Sequence, residues 1–95
     1  MQFAFLILGD FDAARDRAEI CGGRARIWGV ANLDEACAAA KALARQGVGC
    51  IELCGAFGGE GARRVIEATG NRLPIGYVTH FPEQDALFAA AFGEP

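Results

Sequence analysis

Apolar residues in this chain fall into two kinds of run that alternate along its length. The first, Phe3-Ala4-Phe5-Leu6-Ile7-Leu8, is continuously apolar, as in a strand covered on both faces. Other runs space their apolar residues at helical intervals, and the alternation of the two is the pattern of β-α-β units. Gly9-Asp10 ends the first strand. A short helix is then predicted over residues 13–21, capped by Asp10 or Asp12 and stopped by Gly22-Gly23, with Phe11, Ala14, Ala18 and Cys21 inward. A second strand follows over residues 24–30. Arg24 and Arg26 alternate there with Ala25 and Ile27, which gives one wetter face and an edge position.

Asn32-Leu33-Asp34-Glu35 reads as a helix start. Asn32 is the cap, and Glu35 reaches back to the Asn32 backbone N–H. Leu33, Ala36, Cys37, Ala40 and Ala44 give this helix its inner side, and Gly47 ends it. A third strand over residues 48–54 is apolar except for Glu52 and is therefore placed centrally. Gly55-Ala56-Phe57-Gly58-Gly59-Glu60-Gly61 opens a helix with Ala62, Val65, Ile66 and Ala68 inward, stopped at Gly70-Asn71. The fourth strand covers residues 73–78, with Pro74 suiting an edge. Pro82 fits the first turn of a last helix through Phe92, with Leu87, Ala90 and Phe92 on its apolar side.

Two central strands between two edge-like ones predict an α/β fold. Its sheet is four-stranded and mainly parallel, in the flavodoxin-like order 2-1-3-4, with helices on both faces. Sequential order 1-2-3-4, half of a (β/α)8 barrel, is the alternative. With 95 residues, 53% of them hydrophobic and 22% charged, a single domain over residues 1–95 with one core is expected. A domain this short buries only about two thirds of its unfolded surface, and association with a second copy is a common remedy. A homodimer is expected on that ground; Trp28 on the edge-like strand and Phe88 and Phe92 on the last helix read either as ordinary core or as its surface.

Charge and cysteine content narrow the function classes. A net charge of −3 with a single lysine, Lys41, argues against nucleic-acid binding. The N-terminus has no basic region and no cleavage site, and nothing approaches the ~20 apolar residues of a membrane span. The expected location is the cytoplasm, with no membrane association. Cys21, Cys37, Cys50 and Cys54 then read as reduced thiols, and their spacing matches no CxxC motif. One histidine and scattered carboxylates form no metal-ligand spacing, so neither a metal nor a cofactor is expected.

Parallel α/β sheets bind ligands beyond the carboxyl ends of their strands. That rule selects Asp10, Glu52, Cys54, the glycine turn with Gly58 and Gly59, Thr79 and His80. Glu52 shares a strand face with Cys50 and Cys54, and a carboxylate on a buried strand needs hydrogen bonds, a charge partner or a proton. It is a candidate general base or a structural carboxylate. His80 is a candidate acid–base group, and with Cys54 it would form a Cys–His nucleophile arrangement; a capping histidine and a buried inert thiol are the alternatives. The glycine turn has the placement of a phosphate site without its lysine, or simply permits a tight turn and close packing. Three functions stay open: binding of a small polar or anionic metabolite in a small oligomeric protein, with Asp10, Gly58, Gly59 and Thr79 as ligand contacts; a small enzyme using Glu52, His80 and possibly Cys54; and an interaction module without a ligand.

Three segments carry a resemblance. Asn32-Leu33-Asp34-Glu35-Ala36, the run from Gly47 through Cys50-Ile51-Glu52-Leu53-Cys54 to Gly58, and Gly76-Tyr77-Val78-Thr79-His80 resemble an uncharacterised family of short bacterial proteins, a domain of unknown function. The resemblance implies a small stand-alone α/β protein and assigns no catalytic residues. The middle segment is also similar to single β-α-β units of aldolase-type barrels, where a strand-end Glu transfers protons; the Schiff-base lysine of such enzymes has no counterpart here.

Overall fold

The computed structural model describes residues 1–93. Five strands form one mixed sheet: β1 (Phe3–Leu8), β2 (Arg17–Ile20), β3 (Ala25–Val30), β4 (Ile51–Leu53) and β5 (Ile75–Tyr77). Their spatial order is β2-β3-β1-β4-β5, with β2 antiparallel to β3 and every other pairing parallel. The four strands read from the sequence thus stand in the order expected of them, and a fifth is added at the edge. Three helices complete the fold: α1 (Leu33–Arg45), α2 (Gly58–Ala68) and α3 (Asp85–Phe92).

The added strand replaces the predicted helix over residues 13–21. Asp12 does begin a turn, accepting the Ala14 N–H on its side chain and the Asp16 N–H on its carbonyl. The chain then leaves that turn because Arg17-Ala18-Glu19-Ile20 alternates polar and apolar residues, the period of a strand. Gly22-Gly23, read as a helix stop, instead closes a hairpin in which Cys21, Gly22 and Gly23 all have positive φ. Residues 25–30 are therefore flanked on both sides and are not an edge. Trp28 is buried beneath the Arg17 guanidinium, which lies 3.7 Å over its ring, so it presents no self-association surface.

The same replacement explains a second departure: α1 and α2 lie together on one face of the sheet, and no crossover helix covers the other. The steps β3→α1→β4 and β4→α2→β5 cross the sheet in the same direction, so right-handed crossovers put both helices on the same side. The step from β1 back to β3 runs the other way, and a helix there would have covered the second face. The sequence supplies β2 in its place. Phe11 packs over the end of that face, where a Cβ on Gly29 would stand 2.6 Å from the Phe11 ring.

The core lies between sheet and helices. Ala4 and Leu6 of β1, Ile51 and Leu53 of β4, and Trp28 and Val30 of β3 meet Ala36, Ala40 and Leu43 of α1 and Ala62 and Val65 of α2. Gly61 lets the two helices approach: a Cβ there would lie 3.3 Å from Leu33. Asn32 caps α1 as its sequence suggests, accepting the Glu35 N–H at 2.8 Å, while the Glu35 carboxylate takes the N–H of Ala31 rather than that of Asn32. The last helix departs most from expectation. It follows a single turn opened by Pro82 and buries none of its residues.

Candidate functional site

Strands β1, β4 and β5 all end at the same rim, and α3 sits beside it. Backbone hydrogen bonds continue past the strand ends, from Cys54 N–H to Leu6 O at 3.1 Å and from Val78 N–H to Leu53 O at 2.9 Å. These bonds fix residues 54 and 78 as rigid walls. Between them and α3 lies a cavity of about 470 Å³ lined by Leu8, Cys54, Gly55, Ala56, Val78, His80, Phe88, Ala89, Phe92 and Gly93. Aliphatic and aromatic groups dominate it, and a thiol and an imidazole are its two reactive side chains. That balance, mostly apolar with a few convergent polar groups, is usual for small-molecule sites.

Both polar side chains are held. The Cys54 sulfur accepts the Leu8 N–H at 3.3 Å. The His80 ring stacks on Phe88 with centroids 3.9 Å apart and planes 6° from parallel, and Phe88 in turn stacks on Phe92 at 5.9 Å. His80 Nε2 lies 2.8 Å from Asp85 Oδ1. With Nε2 carrying the proton, His80 donates to Asp85 and keeps Nδ1 as an acceptor. Asp85 thus supplies an orienting carboxylate that the reading of the sequence did not include. Its signal was present: an acidic residue in the first turn of the Pro82-initiated helix, five positions after His80.

Cys54 and His80 are brought together in this cavity; the other candidates are not. Glu52 stands in mid-sheet, in register with Phe5 on one side and Gly76 on the other, on the face without helices. Its carboxylate leans across the bare Gly76, where a Cβ would lie 2.7 Å from Oε1. Being only half-buried, it has access to solvent and needs no internal partner. Beside it the Cys50 thiol is pushed up from its usual value, first by burial and then by the Glu52 charge. Asp10 is exposed after β1, and Thr79 is exposed beyond β5. Gly58 turns the chain into α2 with φ 62°, and Gly59 packs toward the Tyr77 hydroxyl, so these glycines serve the turn and its packing, outside the cavity lining.

Among the described residues no three His, Cys, Asp or Glu side chains gather as a metal site, and no helix is long and apolar enough to cross a membrane. No curated protein and no solved structure matches the chain. A family model does, over residues 1–93, and its length agrees with the near-complete likeness that the strand-end segments carry. The chain belongs to that family, a family of unknown function (DUF6506).

Proposed function

We propose that this protein binds a small molecule with an apolar, preferably aromatic, body and one polar, hydrogen-bonding end, in the cavity between the strand ends and α3. The observation that carries the reading is the His80 ring, stacked on Phe88 and tied to Asp85, in the same apolar cavity as Cys54. The stacked aromatics and Leu8, Ala56 and Val78 suit the apolar body. His80 Nδ1, an acceptor, and the Cys54 thiol suit the polar end, which retains the polar member of the polar-or-anionic ligand class expected from the sequence but confines it to one part of the molecule. All four cysteines are unpaired, which supports a reducing, cytoplasmic setting.

A thermal-shift series of aryl and alkyl alcohols and amides against wild type, Phe88→Ala and His80→Gln tests the reading. A ligand at a hundred times its dissociation constant stabilises the folded state by about 2.7 kcal/mol. The expected result is a rise in melting temperature for aryl alcohols and amides on wild type that shrinks on both variants. Silence across the series, or equal shifts on all three proteins, refutes it.

A second reading rests on Asp85. With that residue behind His80, the cavity lining offers a thiol and an imidazole, the latter backed by an orienting carboxylate outside the lining, the groups of a cysteine nucleophile site. In this reading Cys54 is the nucleophile and His80 its base, and Glu52 has no part. Iodoacetamide should then modify Cys54 at neutral pH much faster than Cys37 or Cys50, and His80→Gln should remove the advantage. Peptide mapping that finds Cys54 no faster than the others rules out the enzyme and leaves the binding reading intact.

A further inference from the structure

The face of the sheet that has no helix is apolar at its centre and charged only at its margins. Phe5, Ile27 and Ile20 are 36%, 41% and 70% exposed there, and with Phe3, Ala18 and Ala25 they form a shallow hollow across β1, β3 and β2. Glu52 stands at one margin. At the other, Arg15 and Asp16 line a groove continuous with Ile27 and Ala18, with Arg15 in an exposed pair with Asp12.

We infer that this face is the interface of a homodimer in which two sheets pack face to face around a two-fold axis. Surface area is the first support. A compact monomer of 10.0 kDa exposes about 5,200 Å², whereas this chain exposes 6201 Å². The excess of roughly 1,000 Å², shared by the open face and α3, compares with ~800 Å² that each partner buries in a standard interface. Shape is the second support. A twisted sheet is complemented by another twisted sheet, packed at about −30° and ~10 Å away, with the two rows of side chains interdigitating.

Charge is the third support, and it selects a second copy. A two-fold axis running along the strands between β1 and β3 lays β4 of one copy over β2 of the other. The apolar hollows then meet at the centre, and Glu52 faces the flank on which Arg15 stands, since the Arg17 guanidinium is held over Trp28 on the helix side. That ionic contact lies at the rim and occurs twice by symmetry, the arrangement of an apolar core with a polar margin. The pairing is independent of the ligand cavity, which lies at the strand ends.

Light scattering on a sizing column across a dilution series tests the inference. Wild type should run at twice the protomer mass at high concentration. Ile27→Lys and Ile20→Lys should each halve that mass, while Leu87→Lys on α3 should leave it unchanged. Ile20 is 70% exposed and outside the core, so its variant stays folded, as circular dichroism would register, and keeps the test decisive even if Ile27→Lys does not. Wild type that is monomeric at every concentration overturns the inference. So does a dimer that persists in Ile20→Lys and Ile27→Lys, since its contact would then lie at a sheet edge or on α3.

Discussion

The thiol at position 50 shows how one neighbour sets the chemistry of another. Burial holds Cys50 above the usual thiol range, and the Glu52 carboxylate on the same strand face adds to the effect. Because the raised value favours the protonated form, thiolate appears only at higher pH. Alkylation of Cys50 should therefore follow a pH profile displaced upward from that of a free thiol. Glu52→Gln should move that profile part of the way back, leaving the larger burial component; an unchanged profile in the variant would mean the charge has no influence. Residue-level reasoning from sequence located Glu52 on the strand face it occupies, with Cys50 and Cys54. It did not see that this face lacks a covering layer, and so overstated how much the carboxylate needs a partner. Conversely, the tie between His80 and Asp85 requires the chain to bend back through Pro82, which no strand periodicity reports.

Elements whose ends are marked by local hydrogen bonds were legible; those decided by pairing were not. The start of α1 is fixed within five residues by Asn32 and Glu35. Asn32→Ala should lower stability by about 1 kcal/mol in urea unfolding, whereas Asn32→Asp, which still accepts from the Glu35 N–H, should cost little. Equal losses in the two would remove the cap from the account. Residues 17–20 show the opposite case. Four residues of alternating polarity carry a strand signal, yet Asp12 and the paired glycines mimic helix punctuation. What decides between them is the partner strand, whose Trp28 offers Arg17 a ring to lie on and whose backbone fills the β2 hydrogen bonds. The final helix failed for a related reason. Its residues are apolar on nearly every side, so composition promised burial, but α1 and α2 already occupy the helix layer.

At the scale of the whole molecule, the order of the four parallel strands followed from which of them read as central. The number of layers depended on a single connection. Had residues 10–23 formed a crossover helix, the protein would have been a closed three-layer sandwich; as a hairpin, they leave two layers and an unpaired surface. The Cys54–His80 cavity does not depend on that difference, because strand ends are positioned by the parallel pairing alone. The terminal strand opposite β2 has a consequence of its own. β5 is three residues long and follows Pro74, so it offers an incoming chain almost no free ladder to extend. Growth along the sheet therefore stalls at that side, and stacking through the bare face uses up the only such face each copy has. In the dimer inferred above, stacking through that face therefore stops at two copies.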